Sequence, residues 1–397
     1  MKKNIQNYLI LYLFVLFSFS VFFLHMKHGV GNDSTISDWL INYSGGFTKR
    51  GIIGQISIFF SRLFDLDLRF VIFIFQAVAV AIYFLLIYLF LKNVKCERLL
   101  SLALFTPIFL LYPVAEIEVL ARKEVFIFII LLAYTFIPSN LKNLYTLIFL
   151  TIGILIWEPL IFFIPFWFAI DIINNKIEKI DFKFFKKILF YFPAIFIAFY
   201  IAFNPLSEEH WLKMVNVLQN DFNEACYMSC GLLLTKKTIY HQFQANFGKY
   251  SFEVLLRYFL FYLIGFGPLF ILLINSKIKE KKIFFFKKFK NMFLPYLILL
   301  SPVIVLFAVG YDWGRWVNIS YIFSFISFVH LYKNNLISIN IKKLKNNKIN
   351  LLNKKYFMII FIIYCFTWNP KTVITGDVAS FPIYRIPYKI VKISLLN

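Results

Sequence analysis

Apolar residues run along this chain in long unbroken blocks, with neither the spacing of an amphipathic helix nor the alternation of a half-buried strand. The blocks fall at roughly 7–25, 70–91, 99–114, 124–138, 144–157, 159–173, 188–204, 254–275, 293–310, 317–332 and 356–368. Most approach the ~20 residues a helix needs to cross a hydrocarbon core, and only helices or closed barrels satisfy their backbone there. The pattern predicts an all-α protein, a polytopic integral membrane bundle of about 11 transmembrane helices forming one membrane domain over 1–397. Two stretches stand apart from the blocks: a first loop over 26–69 and a large loop over 205–253. Within the first, Gly51 to Phe64 is apolar but carries Gln55 and Arg62, which predicts an interfacial or re-entrant helix.

Composition agrees: 60% of residues are hydrophobic, 21% aromatic and 16% charged, with mean hydropathy +0.74. No soluble domain is expected. Met1-Lys2-Lys3 before the first block, with no small-residue cleavage site after it, predicts an uncleaved signal anchor with its N-terminus in the cytoplasm. The block at 144–173 is ambiguous, being long for one span and short for two, with Glu158-Pro159 interrupting it. Lysine placement resolves it. With two short helices meeting at Glu158, 25 of the 42 cations and five of the 20 acids fall on the side of the N-terminus. One span instead would put the lysine-rich loops 276–292 and 333–355 outside, against the positive-inside bias. The net charge of +22 therefore reads as topology with contact to an anionic lipid bilayer, and no nucleic acid partner is expected. The C-terminus is expected on the outer, periplasmic side.

Fifteen acids remain outside, several at helix ends, in four clusters. The first is Asp38 with Gly45-Gly46-Phe47-Thr48-Lys49-Arg50-Gly51, whose glycines and cations suit close backbone approach and anion binding, with Asp38 available as a base. An Asp–Arg pair that merely pins the loop is the plainer reading. The second holds Glu116, Glu118, Arg122, Lys123 and Glu124, where Glu118 and Arg122, four apart, also fit simple mutual neutralisation. The third is Trp157-Glu158-Pro159, a lone acid among apolar residues that marks either a site or a hairpin tip. The fourth is Gly310-Tyr311-Asp312-Trp313-Gly314-Arg315-Trp316, where aromatic faces beside a carboxylate suit sugar rings and equally suit interface anchoring. Glu208-Glu209-His210 is a weak metal signal, so no metal site or cofactor is expected. Cys226 and Cys230 are placed for a local disulfide in an oxidising compartment, Cys96 and Cys365 read as inert, and Lys371 to Lys392 reads as a surface strap.

Together these motifs resemble the O-antigen polymerases of the Wzy type, multispanning proteins of bacterial surface-polysaccharide loci. The similarity rests on Asp38-Trp39, the Gly-Gly-Phe-x-Lys-Arg-Gly loop, Arg122-Lys123-Glu124, Glu158 before a Pro-containing helix, and the Gly310–Trp316 junction. Lys49 stands where that pattern has Arg, and Trp157 where a His commonly precedes the acid. The resemblance implies a GT-C-like or Wzy-like bundle in the bacterial inner membrane that joins undecaprenyl-diphosphate-linked oligosaccharides at its periplasmic face, with a chain-length regulator as partner. Asp312, Glu158 and Asp38 are then the candidate bases. Lys49, Arg50, Arg122, Lys123, Glu118, Arg315, Trp313 and Trp316 are the candidate substrate contacts. Two other functions fit the same chain. One is a GT-C-type transferase using a polyprenyl-phosphate sugar, for which Asp33 and Asp38 would serve; the other is a flippase, which would call for mid-membrane charges and internal symmetry.

Overall fold

The computed structural model describes residues 3–29, 34–94, 98–226, 228–234, 239–279, 282–284, 286–340 and 354–374. The fold is helical almost throughout, and the single sheet among these residues is a two-stranded antiparallel pair, Ser276–Ile278 with Ile337–Ile339. Helices occupy every predicted block. Four are long and apolar enough to cross a membrane: Gln6–His28, Leu68–Leu91, Arg98–Ala115 and Phe252–Ile274. A fifth arises if Phe182–Leu189 and Phe192–Phe203, bent by 47°, are one broken span. The remaining apolar blocks form shorter or broken helices. Trp313–Lys333 has the length, but its Asn, Ser, His and charged residues make it too polar for that group.

The chain divides into two compact units. The first-loop unit comprises 7–92 and 117–238. In it the two stretches that stand apart from the apolar blocks are folded together. The Ser34–Leu40 helix packs on Met228–Leu234, and Ile41, Leu206, Met214, Cys230 and Leu233 share one buried apolar cluster. Arg69, at the start of the Leu68–Leu91 helix, grips Glu224 with two donors. Gly51–Phe64 is an inverted amphipathic helix: Gly51, Gly54, Ser57 and Ser61 face the protein, while Phe59, Leu63 and Phe64 are exposed. Small residues let its backbone approach the 39–43 segment, and its large apolar residues lie on the opposite, exposed face.

The late-helix unit comprises 1–6, 93–116 and 239–397. Every residue from Trp313 to Leu331 is buried, so this polar helix is the axis of the unit rather than a lipid-facing span. Its Asn318 amide donates to the carbonyls of Ile108 (2.7 Å) and Phe109 (3.0 Å). Those carbonyls lie where Pro107 and the non-helical Phe109 break the preceding helix. A broken backbone is tolerated at such depth when a neighbouring side chain takes up its freed groups.

Candidate functional site

The site of the first-loop unit is assembled from four segments that are far apart in sequence. Asp38, 2% exposed, comes from the Ser34–Leu40 helix. Its neighbour Trp39 donates from Nε1 to the Ala121 carbonyl at 2.6 Å, and Gln76 donates to the same oxygen at 3.1 Å. That carbonyl anchors the turn leading to Lys123. The next segment turns back at Gly46 and enters the Gly51–Phe64 helix through Arg50, whose φ of 62° is left-handed. A non-glycine residue in this conformation costs about 1–2 kcal/mol and persists only where its surroundings hold it. Glu158 follows a break at Trp157, whose extended backbone ends the preceding helix.

Arg50 is the hub. Its Nε donates to Glu158 Oε2 at 2.7 Å and its Nη2 to Glu158 Oε1 at 2.9 Å, a bidentate fork. Nη1 reaches Asp38 Oδ1 at 3.3 Å. The backbone carbonyl of Arg50 accepts from Lys123 Nζ at 2.8 Å, and Lys123 is fully buried. Lys49 Nζ stands 4.0 Å from Glu158 Oε1 and is the most exposed of the cations in this cluster. Glu124, buried, begins the Glu124–Phe136 helix, where the helix dipole favours its charge. Three cations and three carboxylates thus neutralise one another in a largely buried cluster.

The charge states follow from these contacts. Burial alone would lower the Arg50 guanidinium, but Glu158 and then Asp38 outweigh it and hold Arg50 above its ordinary value. Burial likewise opposes ionisation of Glu158, and Arg50 followed by Lys49 overcomes it, keeping the carboxyl below its usual range. Burial lowers both lysines, pushing Lys123 down to about 8. Glu158 is therefore an ionised, weakly basic carboxylate while Arg50 holds it. Any anion that takes the Arg50 fork releases a stronger base beside itself.

No family model, curated protein or solved structure matches this chain. The site is accordingly argued from its own geometry.

The glycines of the loop have a packing reason. A β-carbon on Gly45 would stand 1.8 Å from the His210 carbonyl oxygen, one on Gly51 2.2 Å from the Tyr43 ring, and one on Gly54 2.0 Å from the Ile41 carbonyl oxygen. All three are spent on close packing, the first against the 205–253 loop. Gly46, at φ 122°, makes the turn itself.

Arg122 is half-buried and Glu118 exposed. Asp312, Trp313, Arg315 and Trp316 belong to the late-helix unit. There Arg315 Nη1 donates to Asp312 Oδ2 at 2.6 Å, and the guanidinium lies over the Trp316 ring. Trp313 is buried against Tyr250, Tyr258 and Phe307 and donates to the Phe307 carbonyl. At 6% exposure each, Trp313 and Trp316 present protein-covered rings rather than open sugar platforms.

Sequence reasoning missed a network beside this pair. Glu116 accepts from Lys371 Nζ and Thr372 Oγ1, each at 3.2 Å. The segment is clamped further by Gly314 N donating to the Thr372 carbonyl at 3.1 Å and Tyr258 OH to the Lys371 carbonyl at 2.8 Å. The part of the strap expected at Lys371 that is described is thus tied into this unit, while 375–392 lie outside the described residues, as do Asp33 and Cys96. Gln76 was also missed; a lone amide in the 70–91 block was the available signal. Glu209 pairs with Lys213 one turn on, and the His210 ring meets the Ser207 hydroxyl at 2.9 Å, which accounts for that motif as a helix start. Cys226 and Cys230 are bonded as a disulfide, and Cys365 is buried and free.

Proposed function

We propose that this protein is a membrane glycosyltransferase of the polymerising kind, joining oligosaccharides carried on a polyprenyl diphosphate, with the Arg50 cluster as its reacting centre. The observation that carries the proposal is the convergence of Asp38, Lys49, Lys123 and Glu158 on one strained arginine. A structural ion pair needs neither the left-handed backbone nor a buried lysine clamping it. Such a transfer needs cations on the departing lipid diphosphate and a carboxylate to take the proton of the attacking sugar hydroxyl. Arg50 and the more accessible Lys49 supply the first. As the diphosphate takes the Arg50 fork, Glu158 or Asp38 is released to supply the second. Asp312 and Arg315 are the corresponding pair of the late-helix unit.

That the segments of each contact lie on one side of the membrane is supported by parity. If the apolar blocks cross a membrane, segments in contact share a side and an even number of blocks separates them. Four blocks lie between Arg50 and Glu158, six between Gly45 and His210, two between Ala245 and Tyr311, and eight between Glu116 and Lys371. Merging 144–157 with 159–173 would make the second and fourth odd. This favours reading 144–173 as two segments that meet at Glu158, as the lysine placement also does.

The test is the surface-polysaccharide profile of a deletion strain beside its complemented parent. Lipid A–core carrying a single repeat, with the ladder restored by the gene, is the expected result. A full ladder of altered spacing would instead indicate a transferase adding one sugar, and loss of even the single repeat a flippase or an earlier step.

A further inference from the structure

At the opposite end of the Glu124–Phe136 helix from Lys123, the first-loop unit holds a second polar network. Asp171, fully buried, accepts from Tyr191 OH at 2.6 Å, from Lys187 Nζ at 3.2 Å and from Tyr134 OH. Lys187 also donates to the Asn143 side chain. Lys187 lies on the Phe182–Leu189 helix, whose start is fixed by Asp181 capping the Phe184 N–H at 3.1 Å. The network therefore locks the rotation of this helix about its own axis.

That locked rotation divides the helix cleanly. At about 100° per residue, Lys187 and Phe184 point to the protein, where Phe184 meets the Phe168 ring edge-on. Phe182, Phe185, Ile188 and Leu189 form one continuous apolar arc, and Phe182 and Leu189 are 82% and 66% exposed. Lys183 and Lys186 lie together on the other flank, both exposed. The helix then bends by 47° into the wholly apolar Phe192–Phe203 helix. A rigid helix that bares large aromatic residues on one flank and lysines on the other fits a boundary between hydrocarbon and anionic headgroups.

We propose that Phe182–Leu189 is a lipid-docking surface: it lies slantwise along the membrane–water boundary, inserts its Phe arc among acyl chains, and gathers anionic phospholipid headgroups at Lys183 and Lys186. The charge complementarity commits the occupant to the anionic leaflet, and the inference stands apart from the enzymatic reading above.

The full-length protein in vesicles of mixed zwitterionic and anionic phospholipid tests this, with Phe185→Trp as reporter and the wild-type signal subtracted. Bromine-labelled acyl chains are placed on either the anionic or the zwitterionic lipid at equal mole fraction. Quenching should be stronger from the anionic lipid, corresponding to local enrichment on the order of fivefold per lysine. It should fall to parity in Lys183→Gln/Lys186→Gln or in high salt. Leu189→Trp, on the same outward arc, serves if the first reporter disturbs folding. Equal quenching by both lipids overturns the proposal and makes the helix the first half of an ordinary crossing. Absence of quenching by either overturns it by removing the helix from the bilayer.

Discussion

Arg50 combines a strained backbone with a charged fork, and paired substitutions separate the two. Alanine at this position inherits φ 62°, which costs a residue with a β-carbon about 1–2 kcal/mol. Glycine removes that strain but gives back about 0.4–1 kcal/mol through a looser unfolded chain. Arg50→Gly should therefore be more stable than Arg50→Ala by about 0.5–1 kcal/mol. Both lose three charge-assisted hydrogen bonds, among them the one to the buried Asp38. Breaking a buried pair costs about 3–5 kcal/mol. Because the Glu158 side chain is 22% exposed, water screens part of that, so about 2–4 kcal/mol is expected for either variant. Arg50→Lys keeps the charge but cannot make the fork, and should fall between them and the wild type.

The stability assay is unfolding by SDS titration in mixed micelles, and the functional assay is the polysaccharide ladder of the complemented deletion strain. Chain extension should be lost in all three variants while the protein still inserts in the membrane. Wild-type stability in Arg50→Ala would refute the hub. Greater stability of alanine over glycine would refute the strain, and a normal ladder in Arg50→Ala would remove Arg50 from the reacting centre.

Other consequences are equally direct. Burial holds Lys123 near 8 against 10.5 when unfolded, so between those values the unfolded chain binds the extra proton and stability rises with pH. The rise approaches about 1.4 kcal/mol per pH unit. A pH series of unfolding should show it in the wild type and a flatter profile in Lys123→Met; identical slopes would mean that the ammonium is not buried. Gly45→Ala forces a β-carbon onto the His210 carbonyl and should cost about 1–3 kcal/mol, seen as faster protease cleavage of the 205–234 segment; unchanged cleavage would contradict the packing. Removing the Cys226–Cys230 disulfide with paired serines should lower stability by about 2 kcal/mol for so short a loop, with little change in micelle titrations counting against it. Arg315→Ala leaves Asp312 without its 2.6 Å partner and should abolish the ladder with insertion intact; a normal ladder would withdraw that pair from the proposed function.

Helix positions were legible because long apolar blocks have few other stable conformations. Their lengths as spans were less so. In 144–173 the Glu158-Pro159 interruption announced the split that the extended backbone of Trp157 makes, whereas the non-helical Phe109 that breaks the 99–114 block is a local backbone event that hydropathy does not encode. The burial of Trp313–Lys333 was hidden for the opposite reason. Its Asn318 and its serines dilute the apolar signal, although their polarity is what a central helix needs to satisfy a broken neighbour. Individual site residues were visible as charges out of place, so Asp38, Arg50, Lys123 and Glu158 could be named. Of their contacts only the Asp38–Arg50 pair could; the Glu158 fork and the Lys123 clamp could not. Glu116, for one, pairs with Lys371 from the far end of the chain, a partner that no local spacing indicates. The glycines misled because a sequence does not distinguish room left for a ligand from room already filled by a carbonyl.

That last distinction bears on how the site would work. With the glycines filled by packing, the cationic group that the site presents to an incoming anion is the Arg50 fork, for which the anion competes with the carboxylates. The fork is held by Glu158, whose carboxyl is partly exposed, and more weakly by the buried Asp38 at 3.3 Å. Exchange is easiest at the exposed partner, beside Lys49. The strained carbonyl of Arg50 stays fixed by Lys123 throughout, so the guanidinium can change partners without the backbone relaxing. A free Glu158 next to a newly bound anion is then no longer held ionised by Arg50, and its basicity rises at the moment a proton has to be taken. Glu158→Gln, which can still accept from Arg50 but cannot take a proton, should accordingly retain substrate binding while losing chain extension. Asp38→Asn, at the buried side of the fork, should instead weaken the protein in the SDS titration. If the two substitutions exchanged these outcomes, the roles of the two carboxylates would have to be reversed.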